Sequence, residues 1–166
     1  MSNIVNNGKV KFPLIVSIRE LLEHRALWLY YIYNESIKNE IDITQLIERG
    51  INRCGIYQGN NLQKKVKVQN LKGLKKSLFG WFARKVFEIK VIESTENELN
   101  LNFHYCPLVK AWQKQNCTDE EIGKLCDFAM CGDQGIAESY NAEIEIGKTI
   151  AHGNNYCEIR FIMKEK

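Results

Sequence analysis

Apolar residues recur at helical spacing from position 17 to position 40. Ile18, Leu21, Leu22, Leu29, Ile32 and Tyr33 follow the i, i+3, i+4 rhythm, with Arg25 and Ser36 as polar interruptions of the same face. Ser17 suits the N-cap, and Glu20 three residues later completes a capping box. Trp28, Tyr30 and Tyr31 widen the apolar side, so this helix is expected to have partners on more than one side. A second helix is predicted over 43–54, with Ile43, Leu46, Ile47, Gly50, Ile51 and Cys54 on one face. The Gly- and Asn-rich stretch 55–61 predicts a loop. A third helix is predicted over 70–84, its inner face carrying Leu71, Leu74, Leu78, Trp81 and Phe82, weakened by Gly73 and Gly80. Residues 1–16 are expected to be a lead without regular structure.

The period then changes. Residues 86–92 are rich in β-branched side chains, and 98–104 alternate, with Leu99, Leu101 and Phe103 on one side and Asn100, Asn102 and His104 on the other. With Asn97 in the turn, the two runs predict a hairpin. Pro107 suits the first position of a short helix to about 116. Thr118 and Glu121 form a capping box for a helix to about 130. A turn through Gly132 and Gly135 is expected next, then a short helical piece. A last hairpin is predicted from 143–150 and 156–163 around Gly153-Asn154-Asn155. Together these elements predict an α+β fold: N-terminal helices packed with an antiparallel sheet of about four strands and inserted short helices, in one domain over 17–166.

Composition narrows the setting. The chain has 166 residues, 45% of them apolar and 26% charged, as in a soluble globular protein. No apolar run is long enough to span a membrane, and Phe12 to Ile18 is too short for a signal peptide. A cytoplasmic protein with reduced thiols is therefore expected, and the six cysteines need not pair. The net charge of +3 is divided. Residues 1–90 hold 16 Lys/Arg against 7 Asp/Glu, whereas 91–166 hold 7 against 13. Lys64, Lys65, Lys67, Lys72, Lys75, Lys76, Arg84 and Lys85 fall in an acid-free window. Without a nucleic-acid-binding motif, the simpler reading of that window is a solvated basic helix face, and nucleic acid is not the expected partner.

Candidate chemistry concentrates in the last third. Cys106 stands where a strand ends and a helix begins, and a helix N-terminus favours thiolate. His104, two residues earlier, is a candidate base for it. Asp133 is a second candidate, although an Asp between glycines is also ordinary turn chemistry. Cys126 shares a helix face with Ile122, Leu125 and Met130, and Cys157 shares a strand face with Ile159 and Phe161. Both fit packing positions as well as a binding site. Arg160 and Glu158 occupy the opposite strand face, where a cross-strand ion pair with Glu145 or a ligand carboxylate would engage the arginine. Sulfur, imidazole and carboxylate groups together would suit zinc, but no CxxC pair gives diagnostic spacing, and no metal or cofactor is assigned.

Cys106-Pro107, Leu125-Cys126, Asp133, Tyr140-Asn141, Thr149-Ile150-Ala151-His152-Gly153 and Cys157-Glu158-Ile159-Arg160-Phe161 resemble the L-2-amino-thiazoline-4-carboxylic acid hydrolase family over about 100–162. Asn154 stands where that family usually carries an acid. The ending is more weakly similar to the 4-vinyl reductase type of ligand-sensing domain. The first resemblance implies hydrolysis of a cyclic amidine-like thiazoline to N-carbamoyl-cysteine. Cys106 would attack carbon 2, or His104 or Asp133 would activate water. Cys126 and Cys157 would line the substrate site, and Arg160 would hold the substrate carboxylate. The alternative is a non-catalytic, sensor-like domain binding a small molecule between sheet and helices. The sequence carries no information on oligomeric state.

Overall fold

The computed structural model describes residues 2–66 and 69–165. Lys67 of the basic window lies outside them. The helices are α1 (Pro13–Lys38), α2 (Thr44–Val66), α3 (Leu71–Ser77), α4 (Trp81–Val86), α5 (Pro107–Lys114) and α6 (Asp119–Ser139). The strands are β1 (Ile89–Ser94), β2 (Glu98–Phe103), β3 (Ala142–Ile146) and β4 (Cys157–Met163). They form one antiparallel sheet in the order β1-β2-β4-β3. The α+β architecture expected from the sequence is present.

One face of the sheet packs on helices. Leu99 and Leu101 of β2 and Cys157, Ile159 and Phe161 of β4 are buried there. They meet Leu71 and Leu74 of α3, Phe79, and Leu125 and Ile136 of α6 in one core. The alternate positions, Asn100, Asn102, Glu158 and Arg160, are only partly buried on the other face. This is the period-2 signature of a sheet covered on one side.

Helix boundaries depart from the sequence expectation in four places. First, α1 begins at Pro13 rather than at Ser17. Pro13 takes the first helical turn, where its missing N–H costs nothing. The buried stripe is Ile15, Arg19, Ala26 and Ser36, while Leu21 is 72% exposed. Arg19 displaces the expected face because it is anchored. It donates to the carbonyls of Val86 and Val10 (both 2.8 Å), pairs with Glu88 (3.0 Å) and lies 4.0 Å above the Tyr105 ring.

Second, α2 runs unbroken through the expected loop at 55–61, and third, α6 runs unbroken through the expected turn at Gly132 and Gly135. These two corrections share a cause. The helices lie against each other with their glycines at the contact. A Cβ on Gly55 would stand 2.0 Å from the Gly132 carbonyl oxygen, and one on Gly135 would stand 2.1 Å from that of Asn52. The glycines that read as loop signals are there to let two backbones approach.

Fourth, the helix expected over 70–84 is divided into α3 and α4. Gly80 breaks it with extended backbone, and Trp81 and Phe82 are 52% and 54% exposed rather than inward. Smaller shifts affect the strands. β1 starts at Ile89, after Glu88 turns the chain at φ 52°. β3 ends at Ile146, and a 3₁₀ turn at Ile150–His152 precedes β4. The lead has no helix or strand over residues 2–12, yet Ile4 and Asn6 are buried at 7% and 3% exposure.

Candidate functional site

Phe103 ends β2, and the chain bends through His104 and Tyr105 into α5. Cys106 is the N-cap of that helix and Pro107 its first residue, as the sequence predicts. The cap conformation (φ −130°, ψ 113°) aims the thiol toward a cavity of about 250 Å³ between the helices and the sheet. Cys106, Asp133 and Cys157 line it together, with Arg25, Phe79 and Ile159 among the other walls. Cys126 is buried just behind, close enough that a charge on Cys106 or Cys157 raises its thiol further.

Desolvation dominates the electrostatics here. Cys106 and Asp133 line the cavity and are half-buried. Burial pushes the Cys106 thiol up to about 11, and nearby Asp133 adds to the rise. The N–H groups of Val109 and Leu108 act against it, as a helix N-terminus should, but they are outweighed. They close no capping hydrogen bond with the sulfur among the described residues. The sequence expectation of a favoured thiolate is thereby corrected: the helix end helps, and burial wins. Burial likewise raises Asp133 to about 6, partly offset by Arg25. Cys157 is pushed up to about 12, chiefly by burial, and its sulfur accepts the Ile150 N–H at 3.3 Å.

The remaining candidates lie elsewhere. His104 sits on the other face of the sheet, its ring 5.6 Å from that of Tyr156, and burial and Lys90 hold its imidazole below the usual value. β2 ends at Phe103, and His104 is not among the residues that line the cavity with Cys106. Arg160 also faces away from the thiols. Its Nε donates to Glu98 (2.6 Å) and its Nη1 to Glu145 (3.0 Å), the cross-strand pairing that the sequence allowed. His152 bonds Thr149 Oγ1 through Nδ1 (2.6 Å) and lies 3.5 Å from Asp127. Among the described residues, no group of three or more His, Cys, Asp or Glu side chains is arranged to hold a metal ion. All six cysteines are free thiols.

Two residues gain a place that their sequence context did not give them. Arg25, read as an interruption of an apolar stripe, lines both the cavity and a neighbouring groove with Leu29, Ile32, Leu46 and Ile47. A charge on an apolar helix face was the signal available. Asn6, in the lead, hydrogen-bonds the backbone of Cys106 at both N and O; nothing in its flanking residues marked it.

Among the described residues, no helix is long and apolar enough to cross a membrane. Comparison with curated protein sequences gives no match. Among solved structures, the chain is similar to a trafficking protein particle complex subunit 3 from Naegleria fowleri, determined covalently bound to palmitic acid. The two share 17% identity with a TM-score of 0.58, over 86% of this chain and 95% of that one, which is a likeness of fold. The sequence pattern of a named enzyme family matches residues 19–161, a span that includes Arg25, Cys106, Asp133 and Cys157. By that match the chain belongs to the L-2-amino-thiazoline-4-carboxylic acid hydrolase family.

Proposed function

We propose that the chain is a hydrolase of a small cyclic amidine bearing a carboxylate, with Cys106 as nucleophile, Asp133 as proton carrier and Arg25 as carboxylate anchor. The observation that carries this reading is the meeting of Cys106 and Asp133 on one cavity wall, with Arg25 on the same cavity. The family membership supports the reaction class.

The chemistry follows from the charges. A protonated amidine is planar and cationic, so its favourable neighbour is the Asp133 carboxylate. Arg25 offers a planar fork to the carboxylate at the other end of the substrate. Burial raises both groups, the thiol to about 11 and Asp133 to about 6, so moving the proton from sulfur to carboxylate carries a cost. The thiol is therefore not ionised at rest. A cation bound beside it lowers that cost, which ties nucleophile activation to substrate binding.

The steps then balance. Asp133 takes the Cys106 proton as sulfur bonds to carbon 2 of the ring. The ring carbon–sulfur bond breaks, and Asp133 returns the proton to the departing sulfur. Water attacks the resulting S-linked isothiourea, giving its proton to Asp133, and the carbon–Cys106 bond breaks as Asp133 reprotonates the thiol. The product is the N-carbamoyl-cysteine type of open chain, and the proton that the amidinium carried in leaves to water.

The test is turnover of L-2-amino-thiazoline-4-carboxylate followed by appearance of a free product thiol. Wild-type turnover lost in both Cys106→Ser and Cys106→Ala supports the reading. Full turnover in both variants removes Cys106 as nucleophile.

A second reading rests on the cavity's wall, which is mostly apolar: Leu22, Leu78, Phe79, Phe87, Phe103 and Ile136 all line it. A wall of that kind suits a non-catalytic domain that holds an apolar ligand. An acyl chain bonded to Cys106 would be the counterpart of the palmitic acid on the trafficking subunit. A hydroxylamine-labile acyl mass on the purified protein, with no turnover, would favour it.

A further inference from the structure

The lead is pinned across the molecule at successive residues. The Asn3 N–H donates to the Asp119 carboxylate (3.1 Å), and Gln113 Nε2 donates to the Ile4 carbonyl (2.8 Å). Farther on, the Val10 N–H donates to Glu88 (2.9 Å) and Arg19 donates to the Val10 carbonyl (2.8 Å). Between these anchors the chain runs tight against the body. A Cβ on Gly8 would lie 2.8 Å from Arg19 Nη1 and 3.0 Å from the Tyr105 ring.

At the centre of this run is Asn6, 3% exposed. Its Oδ1 accepts the Cys106 N–H at 3.0 Å, and its Nδ2 donates to the Cys106 carbonyl at 2.8 Å. One side-chain amide thus grips both polar groups of one residue, as a neighbouring strand would. The location gives that grip a consequence. An N-cap residue lies outside the helix, so its N–H has no partner in the helix that it starts. Its own side chain closes no cap here. The backbone angles that aim the thiol are therefore held by Asn6 together with the single bond from the Lys110 N–H to the Cys106 carbonyl.

We propose that residues 3–10 form a strap that sets the direction of the Cys106 thiol, with Asn6 as the positioning residue. The strap keeps the sulfur facing the Leu108 and Val109 N–H groups and the cavity. It lies outside residues 19–161, the span matched by the family. The proposal concerns the thiol itself, so it holds for whichever chemistry Cys106 serves.

The test is alkylation of the full chain by iodoacetamide across a range of pH, with Cys106 and the exposed Cys54 quantified by peptide mass. Asn6→Ala removes the grip. Gln113→Ala loosens the strap at Ile4 without touching Cys106. Asn6→Ala is expected to lower the Cys106-to-Cys54 rate ratio at pH 8 by about fivefold, the worth of one hydrogen bond at the cap, as the sulfur turns from the Leu108 and Val109 N–H groups; a ratio that rises instead overturns the proposal. Asn6→Ser is uncharged and keeps one hydroxyl toward the Cys106 backbone, so it should fall between. Gln113→Ala should leave the ratio unchanged even if it melts earlier. An unchanged ratio in Asn6→Ala, or an equal change in Gln113→Ala, overturns the proposal. Should Asn6→Ala not fold, Asn6→Ser compared with Gln113→Ala decides by the same criteria. Loss of the hydrolase reading would show as absent turnover in the wild-type chain and would leave this ratio intact.

Discussion

Asp133 holds its proton longer than an ordinary carboxyl because burial disfavours its charge. If the carboxylate takes the thiol proton, kcat/KM should rise with pH through about 6 and then level, which a pH–rate profile checks. Asp133→Asn should remove that limb and lower the rate by about 10²–10⁴. The same residue makes a stability prediction of opposite sense. A carboxyl with a raised folded value binds more protons folded than unfolded between about 4 and 6. Stability is then greatest below that window and declines as pH rises through it, by on the order of 2–3 kcal/mol at most. Urea melts of Asp133→Asn should lack this decline and exceed the wild type at pH 7. Arg25 and Arg160 separate by position. Arg25→Ala should raise KM about 10–100-fold, the worth of charge-assisted hydrogen bonds to a carboxylate. Arg160→Ala, which loses only Glu98 and Glu145 on the far face, should leave KM and kcat unchanged. Equal KM effects would place the substrate on the wrong side of the sheet for this account.

Two long helices, α2 and α6, build the back wall of the cavity through Ile51, Gly55, Gly132 and Asp133. Their close approach makes the glycines at their contact unequal to other glycines. Gly135→Ala drives a methyl group into the Asn52 carbonyl and should cost about 1–3 kcal/mol or more in denaturant melts. A methyl group added at Gly50, in the same α2, would meet nothing within 4 Å, so Gly50→Ala should stabilise by about 0.4–1 kcal/mol. This contrast also explains what the sequence could and could not convey. Three local signals held, the alternation of β2, the capping box at Thr118 and Glu121, and Pro107 opening α5, whereas the box at Ser17 and Glu20 did not form because α1 starts a turn earlier at Pro13. Gly55, Gly59, Gly132 and Gly135 misled because their reason lies on a partner helix far along the chain. The expected inner face of α1 missed Arg19 for the same reason: its inward place depends on Glu88 and Val10, which no helical period can report. Cys106, Asp133 and Cys157 were readable as chemistry-bearing residues, and their meeting was not. It depends on α6 continuing past Gly132.

At the scale of the whole molecule, the cavity is a junction. The N-terminal helices, α5, α6 and the sheet each contribute one kind of group: a guanidinium, a thiol at the helix N-cap, a carboxyl, and a second thiol with apolar walls. The face of the sheet that holds Arg160 and His104 is separate from this junction, and so is the basic window on the end of α2, α3 and α4, where Lys72 pairs with Glu96 at 3.5 Å. The proposed reaction is placed in the cavity because Cys106, Asp133 and Arg25 line it together. Its central claim is a covalent bond between Cys106 and the substrate carbon. The direct measurement is rapid acid quench during turnover of L-2-amino-thiazoline-4-carboxylate, followed by peptide mass analysis. The account predicts a substrate-derived adduct on the Cys106 peptide that forms and decays at the rate of turnover, and that is absent in Cys106→Ala. Sustained turnover with no adduct, retained in Cys106→Ala, would contradict it.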